Sequence, residues 1–182
     1  MFRGDRWVSA HHTPAYAPSA GVKGLFLVLS LAVTLDWELR AMGAKAAFLK
    51  SVFPGGIRQC VRRPYGAPDK YFPPILELGK CVCGHPAASH QLELHSKGVY
   101  SAMGFTPLRS TPSMFQAPAT PSSDQVVSAV TTDDCIFAVP FDSPMRGHVM
   151  SQLGTHCEHT VKDPLVNTSG CTVPRSLFTL TA

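Results

Sequence analysis

The chain has 182 residues, 45% of them hydrophobic and 15% charged, with sixteen prolines and fourteen glycines. That length holds one domain with a real core, or a piece of a larger one, and the proline and glycine content excludes long regular elements throughout. The formal net charge of +4 is mildly basic, which is compatible with a polyanionic partner without establishing one.

Residues 1–20 mix Arg, His, Pro, Ala and Ser without a period and read as an irregular arm in which no core begins. From Val22 to Leu35 the chain is apolar on nearly all sides, as expected of a buried helix. Its apolar run from Gly24 to Leu35 is twelve residues, too short to span a bilayer comfortably. As a signal segment the same run is poorly framed: Asp5, His11 and His12 precede it, and Asp36, Glu38 and Arg40 follow it where small residues belong. Trp37 to Met42 alternates in part like a strand, and Pro54-Gly55-Gly56 then breaks the chain.

Between Arg58 and Pro74, the cations Arg58, Arg62, Arg63 and Lys70 are interleaved with Tyr65, Tyr71 and Phe72. Such a stretch suits a nucleic-acid strand; the other reading is a solvated loop whose aromatics tuck onto the domain. A helix is expected next. Pro86 suits a first turn, Leu92, Val99 and Met103 recur near one face, and Gly104 is placed to end the run, although Gly98 weakens it. Residues 116–124 read as a loop.

Two apolar runs, Val126–Val130 and Cys135–Val139, flank Thr131-Thr132-Asp133-Asp134, a hairpin with two carboxylates at its tip. Adjacent acids repel, so a fold keeps them where water, turn hydrogen bonds or a divalent cation offsets the repulsion. Taken alone, the pair is weightier as an ordinary turn. Beyond Pro140 the sequence is mixed and shows no convincing period. The chain is thus divided into an arm (1–20), a central domain (21–140) and a diverged tail (141–182).

Six cysteines, at 60, 81, 83, 135, 157 and 171, form no even framework and read as reduced thiols of an intracellular protein, cytoplasmic or nuclear. The sequon at Asn167 matters only in a secreted chain. Cys81-x-Cys83-x-His85, with His90 and His95 beyond, has the wrong spacing for common structural zinc sites and reads better as core thiols beside surface histidines. His156-Cys157-Glu158-His159 lacks a second spaced pair.

The segment Trp37-Glu38-Leu39-Arg40-Ala41-Met42-Gly43-Ala44-Lys45-Ala46-Ala47-Phe48-Leu49 resembles the first palm motif of copia-type retrotransposon reverse transcriptases, W-E-L-x-x-M-D-V-K-T-A-F-L. The helix Leu25 to Leu35 precedes it as the family's apolar helix does. Lys80-Cys81-Val82-Cys83-Gly84 is similar to the family's K-x-L-Y-G. Met103-Gly104-Phe105-Thr106 and Thr111-Pro112-Ser113-Met114-Phe115 are similar to L-G-F-T and D-P-S-L-F. The Thr131–Asp134 tip falls where the family has Y-V-D-D.

The resemblance covers roughly Tyr16 to Val139 and implies an α+β fold: a partial right-hand polymerase palm, with an antiparallel sheet backed by helices. It implies an RNA-directed DNA polymerase of a transposable element, a nucleotidyltransferase cut from a polyprotein. Its cofactor would be Mg²⁺ or Mn²⁺. Its partners would be an RNA or DNA template-primer, dNTPs and other chains of the same element, with no membrane. Asp133 and Asp134 would be catalytic and metal-binding, and Phe48 would crowd a ribose 2′-hydroxyl. Lys45 shares the nucleotide-side motif, and Arg58, Arg62, Arg63 and Lys70 would face nucleic acid.

Three departures argue for decay. Gly43 stands where the family has its first catalytic Asp. Asp36 and Glu38 lie seven and five residues upstream, on the opposite strand face and about 23 and 17 Å away, so neither replaces it. Thr131-Thr132 replaces Tyr-Val, and the template-side K-Q-A-P-R-x-W is reduced to Pro86-Ala87-Ala88-Ser89-His90-Gln91-Leu92. Catalytic groups that act as a unit fail together, so the expectation is a degenerate, inactive enzyme that binds metal weakly. Two other classes stay open: a non-catalytic nucleic-acid binder, and a small secreted protein using residues 24–35 as a signal.

Overall fold

A computed structural model describes residues 15–53, 58–117, 125–156 and 159–162, with side chains omitted at 154, 156 and 159–162. The fold is α+β, with three helices and an antiparallel six-stranded sheet. Two compact units divide the described chain: a smaller one formed by 15–17 and 46–95, and a larger one formed by 18–45 and 96–162.

In the larger unit, α1 (Gly21–Thr34) leads into β1 (Glu38–Ala44). The helix matches the apolar run, but only the stripe Gly24, Val28 and Ala32 is buried, while Phe26 on the far side is 60% exposed. The expectation of burial all round is therefore corrected. Residues spaced by four share one helical face, and here the smallest of them let the helix approach the sheet. A side chain at Gly24 would meet Met114 Sδ at 3.1 Å. The core also starts earlier than expected, because Ala20 is buried and its N–H donates to the Val130 carbonyl (3.1 Å).

The smaller unit begins with a 3₁₀ turn (Ala47–Lys50) and carries a two-stranded sheet, β2 (Cys60–Arg62) paired with β3 (Ile75–Glu77). Helix α2 (Ala88–Ala102) starts beside a buried histidine. His85 Nδ1 accepts from the Ala87 N–H (3.1 Å), its Nε2 lies 3.3 Å from Gln59 Oε1, and its carbonyl accepts from the Ala88 N–H. The His85 carbonyl thus serves the first N–H of the helix, which needs an outside acceptor, while its imidazole holds the N–H of the residue just before it. An acceptor Nδ1 leaves the proton on Nε2, facing Gln59. Burial pushes the His85 pKa down from its ordinary value.

The far end of α2 closes as the sequence anticipated. Gly104 takes φ +84°, the Gly104 N–H donates to Ser101 and the Phe105 N–H to Tyr100, which is a Schellman motif. Its apolar contact is the edge-on packing of Tyr100 and Phe105 (5.4 Å between rings). Tyr100 also stacks on Phe115 (4.3 Å), and its hydroxyl meets Ser128 Oγ (2.9 Å), which donates onward to the Ile136 carbonyl (3.0 Å).

Strands β4 (Thr106–Leu108) and β5 (Thr111–Ala117) follow, then the hairpin β6 (Val126–Thr131) and β7 (Asp134–Val139). The expected loop at 116–124 is corrected at its start, where Gln116 and Ala117 pair with β6; residues 118–124 lie outside the described chain. The tail is structured too. Helix α3 (Pro144–His156) buries Val149 and Leu153, and β8 (His159–Lys162) pairs with β1; residues 163–182 lie outside the described chain.

The sheet order is β4-β5-β6-β7-β1-β8. Its centre, β1-α2-β6-β7-α3-β8 with β7 inserted antiparallel between β1 and β6, is the split β-α-β-β-α-β arrangement. One face holds Met42, Phe137 and Val139 against Val99, Tyr100, Val149 and Leu153; the other holds Ala41, Ile136 and Ala138 against Val28 and Ala32. Two covered faces explain why β6 and β7 read as unbroken apolar runs.

Two outcomes test these assignments. Gly98→Ala meets nothing within 4 Å and stabilises the chain by about 0.5–1 kcal/mol, whereas Gly104→Ala, at positive φ, destabilises it by about 1 kcal/mol; urea midpoints distinguish them. His85, whose folded pKa is depressed, contributes stability that is complete above its unfolded pKa and is lost as pH falls through the folded value. Stability therefore declines on acidification below about pH 6.5 in the native chain. His85→Asn, which keeps an acceptor without a titrating group, shows a smaller decline between pH 7.5 and 5.5 in denaturant titrations.

Candidate functional site

The β6–β7 hairpin closes at the Thr131↔Asp134 pair, leaving Thr132 and Asp133 as a two-residue loop. Thr132 has φ +54°, in the left-handed region, and Asp133 does not share it. Glycine is the usual residue there, so the threonine carries strain of about 1–2 kcal/mol. Asp133 is exposed and Asp134 half-buried.

Next to this hairpin runs β1, paired in register from Glu38↔Val139 to Gly43↔Asp134. The Ala44 N–H then donates to the Asp133 carbonyl (2.8 Å), carrying the pairing one step into the turn. Directly opposed residues have Cα atoms about 4.5–5.5 Å apart and side chains on one face. Leu39, Ala41 and Gly43 therefore share a face with Asp134, Ile136 and Ala138, opposite the face that packs α2 and α3.

Gly43, Asp133 and Asp134 are thus brought together, and they supply two carboxylates where three would be needed. Among the described residues no group of three or more His, Cys, Asp or Glu is placed to hold a metal ion. The donor set does not fit a resident pair of divalent cations, which want hard oxygen ligands from both strands.

Glu38 offers no substitute. It lies on the α3 side of β1, is 7% exposed, and is paired with Arg40 two residues along and with Arg146 Nε at 3.1 Å. The Arg146 contact is off the line of a hydrogen bond, so Glu38 Oε2 is buried without a hydrogen-bond partner among the described residues, as is Arg40 Nε. Removing Glu38 leaves Arg40, 17% exposed, without its carboxylate in a largely desolvated position, whereas Arg146, 45% exposed, returns to water. Sequence reasoning missed this cluster, because Arg146 lies in the stretch that showed no period. Asp36 sits in the turn before β1 at φ +51° and is exposed.

Of the nucleotide-side candidates, Lys45 is exposed just beyond β1, in the larger unit. Phe48 falls in the smaller unit, half-buried, its carbonyl accepting from the Ser51 N–H (3.2 Å) and Oγ (2.9 Å).

The four basic candidates divide into two kinds. Arg58 forks onto Glu77 (3.0 and 2.6 Å), a bond that raises the Arg58 pKa and lowers that of Glu77. Arg63 pairs with Asp69 (2.5 Å), donates to the Phe72 carbonyl (2.8 Å) and, through its own N–H, to Pro74 (2.9 Å). It is the internal clamp of the 64–73 loop. Arg62 and Lys70 are exposed, with Lys70 Nζ 5.5 Å from the Tyr71 ring centre. The reading in which the aromatics tuck onto the domain is overturned: Tyr65, Tyr71 and Phe72 all face solvent.

The Cys81–His85 stretch is likewise corrected. Cys81 is buried, its thiol pKa pushed up by that burial, whereas Cys83 is exposed and His85 is inside the unit. Cys60, Cys81 and Cys83 are free thiols; Cys157, Cys171 and Asn167 lie outside the described residues.

Among the described residues no helix is long and apolar enough to cross a membrane. Comparison with protein-family models, with curated proteins and with solved structures gives no significant match to any of them.

Proposed function

We propose that the chain is the remnant of a copia-type retrotransposon reverse transcriptase, an intracellular RNA-directed DNA polymerase by origin, that no longer performs nucleotidyl transfer. The observation that carries the reading is the rung Gly43↔Asp134. The motif that resembles the first palm segment and the hairpin that falls at Y-V-D-D are neighbouring central strands, meeting at the residues where the family sets its carboxylates. Two short motifs separated by half of the chain have no reason to meet in that register unless the pattern has a common cause.

The topology supports the same reading. A palm is built on an antiparallel sheet backed by helices, and the split β-α-β-β-α-β centre is a sheet of that kind. Residues 141–162, which the sequence left unassigned, complete it with α3 and β8. Template-primer and dNTP are the partners this reading implies, and Lys45 and Phe48 its nucleotide-side residues.

The lesion is equally specific. With Gly43 supplying no oxygen and Glu38 committed to Arg40 and Arg146, no third carboxylate joins Asp133 and Asp134 among the described residues. The native chain is inactive in primer extension on an RNA template with Mg²⁺ or Mn²⁺. Gly43→Asp restores measurable extension and Gly43→Asp with Asp133→Ala abolishes it, a loss of about 10⁴-fold or more. Extension by the unaltered chain overturns the lesion. Absence of extension by a folded Gly43→Asp variant, checked by thermal unfolding, overturns Gly43 as the decisive defect.

A further inference from the structure

We infer that the outward face of α1 is a self-association surface, on which a second copy of the chain packs its own α1 antiparallel about a two-fold axis between Leu29 and Ser30. Nothing in this inference rests on the palm or on its missing carboxylate.

Helix α1 is apolar on more sides than its own sheet uses. The sheet takes Gly24, Val28 and Ala32. A second stripe, Val22, Phe26, Leu29 and Val33, runs along the other side at spacings of four, three and four, the alternation by which one helix seats against another. Val22 is 66% and Phe26 60% exposed, while Leu29 and Val33 are half-buried. A helix with apolar residues on all sides belongs in an interior, and this one, about 21 Å long, falls short of the roughly 30 Å of a bilayer core. Its second stripe is thus an interface waiting for a protein surface.

The partner is named by the symmetry of the helix about its own middle. In a two-fold pair, each residue meets the one equally far on the other side of the axis, and every contact is made twice. With the axis between Leu29 and Ser30, Phe26 meets the partner's Val33, and Leu29 meets the partner's Ser30, an exposed residue small enough for the helix axes to approach to about 8–10 Å. The same operation sets Lys23 opposite the partner's Asp36. Both are exposed, one near each end of the helix, and neither has an ion pair among the described residues. Apolar stripe and charges are therefore self-complementary in a single arrangement, which an unrelated partner would match only by accident.

Area sets the strength. A strip about 21 Å long and one helix wide, about 10 Å, is well short of the roughly 800 Å² that each partner of a standard interface buries, so the dimer is weak, with a dissociation constant on the order of 100 µM.

Sedimentation equilibrium of the full chain, from about 10 to about 500 µM, tests this. The native chain shows a monomer–dimer equilibrium that goes no further than the dimer. Phe26→Glu, which sets a carboxylate on each side of the axis, weakens it at least tenfold. Lys23→Glu weakens it about threefold to tenfold, and Lys23→Glu combined with Asp36→Lys restores it, since the exchanged charges meet again across the axis. Thermal unfolding checks that each variant is folded, and Val22→Glu stands in for Phe26→Glu if that variant is not. A chain that stays monomeric throughout, association that grows past the dimer, a folded Phe26→Glu variant that dimerises like the native chain, or a charge exchange that recovers nothing overturns the inference. Sedimentation reads mass without nucleotide incorporation, so its failure and a failure of primer extension are separately visible.

Discussion

Everything in the larger unit hangs on the antiparallel pairing of β1 with β7. β7 lies between β6 and β1, and it buries Ile136 and Ala138 toward α1 and Phe137 and Val139 toward α2 and α3. Because side chains alternate, a slip of one residue would exchange the two sets and press Phe137 against the α1 side, where Ile136 and Ala138 now pack. That asymmetry of size pins the register. The meeting of Gly43 with Asp134 is then a result of packing several rungs away, and needs no attraction between the residues that meet.

This separation of scaffold from site explains how a lost ligand leaves the geometry standing. The residues that hold β1 in place are Ala41, Met42 and the Glu38 ion cluster, none of which is a carboxylate aimed at the hairpin. Under the proposed function, decay has removed an oxygen donor while the core that positions it is still filled. Chemistry and fold draw on different side chains, so one is free to lapse before the other.

The parts legible in the sequence are those whose local signals agree with their tertiary role. The apolar helix, the strand at Trp37–Met42, the hairpin at Thr131–Asp134 and the Gly104 helix stop all carried period, turn chemistry or a positive-φ residue. The strands at 60–62, 75–77 and 106–108 are three residues each, below any readable period. β5 hides behind Pro112 and buried Ser113, and α3 behind a stretch where only Val149 and Leu153 reach the core. Which side of α1 faces the sheet was not legible, since leucine and phenylalanine surround it. The choice fell to Gly24, Val28 and Ala32 because closeness, more than hydrophobicity, was limiting. In the candidate site, motif order brought Gly43 and the aspartates together. The long-range neutralisation of Arg58 by Glu77 and of Arg63 by Asp69 depends on a hairpin too short to read.

The outward side of α1 has a practical consequence. Val22, Phe26 and Leu27 present a band of hydrocarbon to water on a helix with a single charged residue, Lys23. Patches of this kind lower colloidal stability, and added salt strengthens their self-adhesion by screening the small net charge that keeps molecules apart. Purified chain is accordingly better behaved in dilute, low-ionic-strength buffer.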